Sequence, residues 1–137
     1  MKKLAVLLGV LTLAGCAGNN QGLSLNLIED PLYLRAEHDF EQNFVQIQRA
    51  VFRHQDACHD NVRFEVDAGN PNYARIIKPL VANATNYSDM MILSMAELRS
   101  GVTRAKLYSY YVTTRDQARE MFNVVLHPEQ CGAQPNS

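Results

Sequence analysis

Met90-Met91-Ile92-Leu93-Ser94-Met95-Ala96-Glu97-Leu98-Arg99-Ser100-Gly101-Val102-Thr103-Arg104-Ala105-Lys106-Leu107-Tyr108-Ser109-Tyr110-Tyr111-Val112 is two apolar-rich segments joined by a Ser-Gly pair. Strand-forming residues on both sides of a turn dipeptide predict a long hairpin, with strands over 90–98 and 103–112. A two-residue turn at Ser100-Gly101 sets Arg99 opposite Val102 and Glu97 opposite Arg104. That pairing of opposite charges supports the register by roughly a few tenths of a kcal/mol. In this register one face carries Met90, Ile92, Ala96, Leu98, Ala105, Leu107 and Tyr111. The other carries Met91, Leu93, Met95, Tyr108 and Tyr110, with Glu97, Arg104 and Lys106 toward the turn. Both faces are substantially apolar, so each needs a cover or a partner.

Outward from the hairpin, the chain divides between the two periods of regular structure. Val62-Arg63-Phe64-Glu65-Val66-Asp67 alternates, with Phe64 and Val66 on one side, as a half-buried strand does. Ala68-Gly69-Asn70-Pro71-Asn72 supplies a turn, and 73–78 reads as the return strand, halted by Pro79. Residues 83–88 are polar and read as a loop. Upstream, Phe40, Phe44, Ile47, Val51 and Cys58 recur at helical spacing, with His54 in the same stripe and Val45 and Phe52 widening it. A helix is expected there, over 36–57. Downstream, Thr114 and Gln117 form a capping box for a second helix, which carries Ala118, Met121, Phe122 and Val125 and ends at His127-Pro128. Asp30-Pro31 is a helix-start signal. Leu23-Ser24-Leu25-Asn26-Leu27 reads as a short edge strand or an extended lead-in. The order implies an α+β fold in one domain over 23–132: an antiparallel sheet of four or five strands, with two helices packed mainly on one face.

At the start of the chain, Met1-Lys2-Lys3 precedes an apolar run that ends in small residues, the pattern of a secretory signal. The run is too short for a membrane span, which takes about twenty apolar residues. Its last four residues, Leu13-Ala14-Gly15-Cys16, resemble the lipobox of bacterial lipoprotein precursors. The resemblance implies a diacylglycerol on the Cys16 sulfur, cleavage before Cys16 and acylation of the new N-terminus, with residues 1–15 removed as signal. Stable anchoring follows from having more than one acyl chain. Ala17 stands where enterobacterial lipoproteins of the inner membrane carry Asp, so the same resemblance implies the outer membrane, facing the periplasm. Residues 16–22 read as a flexible tether of about 20 Å at most, and residues 133–137 as a disordered tail.

With Cys16 given to lipid, Cys58 and Cys131 remain, and an oxidising compartment makes a Cys58–Cys131 disulfide the default. This pairing strains a simple layout. In a four-strand up-down meander the two helices end at opposite ends of the sheet, yet both cysteines follow a helix end. Either residues 127–131 fold back, or a segment around 80–84 adds a crossing.

The formal net charge is −1 and charged residues make up 20% of the chain, without a block of one sign. Nucleic acid is therefore not an expected partner. His54, Cys58, His59 and Asp60 lie close in sequence, but a disulfide removes Cys58 as a ligand, and His54 and His59 do not share a helix face. Met90, Met91, Met95 and Met121 suggest soft-metal ligands, but the first two lie on opposite strand faces and methionine is common core filler. No metal or cofactor is expected. No nucleophile elbow, zinc-protease motif or phosphate loop is present, so no catalytic residues are assigned.

Two helices cover one sheet face, which leaves Met91, Leu93, Met95, Tyr108 and Tyr110, edged by Arg104, as the candidate binding face. The competing expectation is that residues 23–34 fold over it and complete the core. The functional expectation is a non-catalytic, outer-membrane-anchored accessory that binds another envelope protein. The alternatives are a tethered module for a small ligand or cell-wall fragment, and an enzyme of unassigned reaction.

Overall fold

A computed structural model describes residues 22–132. The expectations for Cys16, for the signal and tether through residue 21, and for the tail at 133–137 lie outside the described residues. The elements are α1 (Leu25–Ile28), a 3-10 turn at Pro31–Tyr33, β1 (Leu34–Phe40), α2 (Phe44–Cys58), β2 (Arg63–Val66), β3 (Tyr73–Pro79), a 3-10 turn at Tyr87–Asp89, β4 (Met90–Glu97), β5 (Thr103–Ser109) and α3 (Arg115–Leu126). The fold is α+β. Its five-stranded antiparallel sheet has the order β1-β5-β4-β3-β2.

β4 is the central strand, and this explains its composition. Met90, Met91, Ile92, Leu93, Ser94 and Met95 are all buried, which requires a cover on both sheet faces. On one face, α2 and α3 pack Phe44, Ile47, Val51, Met121, Val124 and Val125 onto Ile76, Met91, Leu93, Met95, Ala105 and Leu107. On the other, residues 23–34 lie as a lid: Ile28, fully buried, joins Ile77, Met90, Ile92 and Tyr108, flanked by Leu23, Leu25, Tyr33 and Leu34. The lid is pinned electrostatically as well. Glu29 receives Arg75 Nε at 2.7 Å and Nη2 at 3.2 Å and accepts from the Ser94 hydroxyl.

The hairpin register differs from expectation. The Leu98 N–H donates to Val102 O and the Gly101 N–H to Leu98 O, each at 2.9 Å, so the loop holds Arg99, Ser100 and Gly101. Gly101 sits at φ +82°, a left-handed conformation that glycine takes without strain. One extra loop residue shifts β5 by one position and turns each of its side chains to the opposite face. Leu107 therefore lies opposite Leu93 and Ala105 opposite Met95, while Tyr108 lies opposite Ile92 on the lid side. Glu97 is opposite Thr103 and its carboxylate accepts the Phe44 N–H at 2.8 Å. Arg104 pairs with Asp39 of β1 at 3.3 Å.

The segment expected as one helix over 36–57 is a strand followed by a helix. Ala36, His38 and Phe40 face the helices while Glu37 and Asp39 face outward, opposite Lys106 and Arg104. The helix starts only after Asn43, which forms a capping box with Gln46. Val45 and Phe52 do not widen the core stripe; they are 57% and 52% exposed. Val66, at the end of β2, is half exposed rather than paired with Phe64 toward the core. No strand forms over residues 23–27: Leu25, Asn26 and Leu27 belong to α1, and only the residues before it, with Ser24 as an extended N-cap, form a lead-in.

Cys58 and Cys131 form the disulfide, with Cα atoms 5.3 Å apart. The fifth strand is β1 and not an added crossing at 80–84, so four strands still separate the two long helices. The ends meet because the chain turns back after α3. Gln130 N–H bonds His127 O, and Pro128 O accepts from His54 Nδ1, both at 2.9 Å. His54, in the core stripe of α2, is thus buried at the point where the returning chain meets the helix.

Candidate functional site

The structure separates the residues expected to share a binding face. Met91, Leu93 and Met95 are buried beneath α2 and α3, and Tyr108 is buried beneath the lid. Tyr110 is 47% exposed beyond the end of β5, and Arg104 is exposed near the hairpin turn in its ion pair with Asp39. The expected open Met/Tyr face is therefore filled on both sides. The one-residue register shift and the lid together remove it.

What is open lies along β1. As an edge strand, β1 bonds β5 on one side only. Among the described residues its backbone makes no other hydrogen bond beyond that of Leu34 to Pro31 O. Between this edge and α3 runs a groove of ≈ 320 Å³. Ala36 and His38 of β1 and Ala118, Phe122 and Leu126 of α3 form its apolar wall. Its origin is steric. Ala36 and Ala118 are too small to fill the wedge between helix and sheet edge, and the larger pair, His38 and Phe122, meet with ring centroids 5.2 Å apart. Arg115 and Arg119 stand at its rim, the latter bonded to Asp116 at 2.7 Å.

A β-bulge shapes the mouth of this groove. Leu34 lies opposite Tyr108 and Ala36 opposite Leu107, so Arg35 is an extra residue in β1. A bulge re-aims its side chain, and here Arg35 turns back onto the chain leaving β5. Its guanidinium donates to the carbonyls of Ser109 (2.9 Å), Tyr110 (3.1 Å) and Tyr111 (3.2 Å), and to Leu32 O at 3.4 Å. Tyr33, Tyr110 and Tyr111 form a chain of rings at centroid distances of 5.7 and 5.2 Å. Sequence reasoning missed this cluster, because Arg35 fits the alternation of β1 as an ordinary outward polar residue and nothing local to it points to residues 109–111.

A second, more polar cleft of ≈ 510 Å³ lies between the end of α2 and the β3–β4 connection, lined by Gln55, Asp60, Asn61, Arg63 and Asn83 among others. Burial pushes the Asp60 carboxyl up, but the Lys78 ammonium at 2.9 Å, helped by His54, holds it below the usual carboxylate value. A depressed, ion-paired carboxyl is a weak base. His54 uses Nδ1 on Pro128 O, and its Nε2 stands 3.5 Å from Asp60 Oδ2 without a hydrogen-bond partner among the described residues. Compared with known proteins, the sequence matches no family model and no curated protein.

Proposed function

We propose that this chain is a non-catalytic, outer-membrane-anchored envelope accessory that binds an extended segment of another envelope protein between β1 and α3. The single observation carrying this reading is the coincidence of an unpaired strand edge with an apolar groove. An extended segment added to β1 gains backbone hydrogen bonds, while its alternate side chains enter the groove. The lipobox-like residues Leu13-Ala14-Gly15-Cys16 support the anchored location. The polar cleft at Asp60 and Asn83 favours the second reading, a module for a small ligand or cell-wall fragment, because its volume falls in the range of ligand sites.

The test places a photocrosslinking residue at Leu126, on the groove, and at Phe52, on the exposed side of α2, in otherwise intact chains in living cells. A defined crosslinked protein from position 126 alone, lost when Ala118→Leu fills the groove, is the expected result. Equal products from both positions, or a product indifferent to Ala118→Leu, overturns the groove as the binding site. A cell-wall fragment retained by the purified protein and released by Asn83→Ala establishes the second reading in its place.

A further inference from the structure

We propose that the end of the sheet carrying Tyr110, Tyr111 and Val112 seats on the lipid headgroup layer of the anchoring membrane, so the domain has a fixed orientation there; this rests on the anchored-lipoprotein reading above. The first support is the position of Gly22. Gly22 is packed so closely on Asn86 that a Cβ at Gly22 would fall 2.3 Å from Asn86 Cβ. Asn86 caps the 3-10 turn that feeds Met90, at the end of the sheet where β3 ends and β4 begins. The same end holds the last residue of β5, since Ser109 lies opposite Met91. Gly22 therefore lies on the side of the domain that presents Tyr110, and only six residue steps, about 20 Å at full extension, separate it from Cys16 in the sequence.

The second support is what that end exposes. Leu32, Val81, Tyr110, Tyr111 and Val112 are 72%, 53%, 47%, 54% and 87% exposed. Apolar side chains at this density in water mark a contact surface. Two tyrosines with an aliphatic tip suit a headgroup boundary, where one end of each ring is dry and the other wet. The third support is rigidity. Arg35 fixes three successive carbonyls of residues 109–111, so these side chains are held outward instead of collapsing onto the sheet. Arg115, the first residue of α3, lies three positions after Val112 and makes no ion pair among the described residues, leaving a cation for a lipid phosphate.

The chain contains no tryptophan, so one introduced indole is a clean reporter. Full-length Val112→Trp protein, purified from bacterial membranes, is placed in vesicles of phosphatidylethanolamine and phosphatidylglycerol bearing a nitroxide high on the acyl chain. Val66→Trp, at the opposite end of the sheet and half exposed in the wild type, is the control. The expected result is a blue-shifted emission and loss of most intensity for Val112→Trp, with neither for Val66→Trp. Val112→Trp emission no more quenched than that of Val66→Trp overturns the seat. The mass of the peptide containing Cys16 is read on the same sample. A Cys16 carrying the diacylglycerol with an unquenched indole at position 112 refutes the seat alone, whereas an unmodified Cys16 refutes the anchored reading and the seat with it.

Discussion

Arg75→Ala is expected to destabilise the protein more than Glu29→Ala, although the two residues are partners. Their side chains are 11% and 15% exposed, and they meet through two hydrogen bonds. Arg75 has other support: Asp67 Oδ2 at 3.1 Å and the face of Tyr73, 5.0 Å from its ring centroid. Glu29 has, among the described residues, only the Ser94 hydroxyl besides. Removing Glu29 thus leaves a cation still paired, at a cost of roughly 1–2 kcal/mol. Removing Arg75 leaves a largely buried carboxylate with one neutral donor, and breaking such a pair from one side costs about 3 kcal/mol or somewhat more. On a domain of this size the losses correspond to melting shifts of about 4–8 °C and about 12 °C. Urea unfolding of both single variants and the double variant, with the disulfide intact, gives the cycle. The double variant is expected to lose less than the sum, because no lone charge remains. A Glu29→Ala loss equal to or above that of Arg75→Ala, or strict additivity, would refute the assignment of these partners and with it the electrostatic pinning of the lid.

Three further outcomes are expected. Tyr108→Ala deletes a ring buried under the lid and should cost about 3 kcal/mol or more, whereas Tyr110→Ala, half exposed, should cost under about 1 kcal/mol; equal losses in thermal unfolding would contradict the observed register. Reducing Cys58–Cys131, which spans 73 residues, should lower stability by about 4 kcal/mol on the chain-entropy account, and a denaturation midpoint unmoved by reductant would speak against it. The folded-state pKa of Asp60 is depressed, so its ion pair contributes stability above the carboxyl's ordinary value, and that contribution is lost as pH falls through the depressed one; Lys78→Met should therefore destabilise at neutral pH and progressively less below about pH 4, and a penalty constant from pH 7 to 3 would show the pair to be idle.

The fold class was legible because the periods of the sequence are strong where the core is made. The capping boxes at Asn43/Gln46 and Thr114/Gln117 mark both long helices, though the first was masked by Phe40, whose spacing to Phe44 and Ile47 fits a helix as well as its true place at the end of β1. The alternation of Ala36, His38 and Phe40 against Glu37 and Asp39 was the better guide. The binding face was misread because hairpin register depends on loop length, and Ser100-Gly101 suits two-residue and three-residue loops alike. A one-residue difference there decides which side of the sheet Tyr108 takes. The lid was present only as an alternative, since Leu23, Leu25 and Ile28 bury themselves through tertiary packing that no local period encodes. The groove and the contacts of Arg35 to residues 109–111 were invisible for the same reason: each joins residues more than 70 positions apart.

The disulfide has a mechanical consequence. It links Cys58 to Cys131, so every element from β2 to α3 lies inside one covalent loop, while the lid, β1 and α2 precede it. A pulling force at Gly22 reaches the lid first, where the Glu29–Arg75 contact bears it, and then the edge strand β1. Unravelling from that side stops at Cys58, after about 125 Å of extended chain, with β2, β3, β4 and β5 still held within the loop. Tension applied at Gly22 would thus strip the groove of its strand wall, and the sheet behind it would remain as a template on which the freed β1 can re-pair.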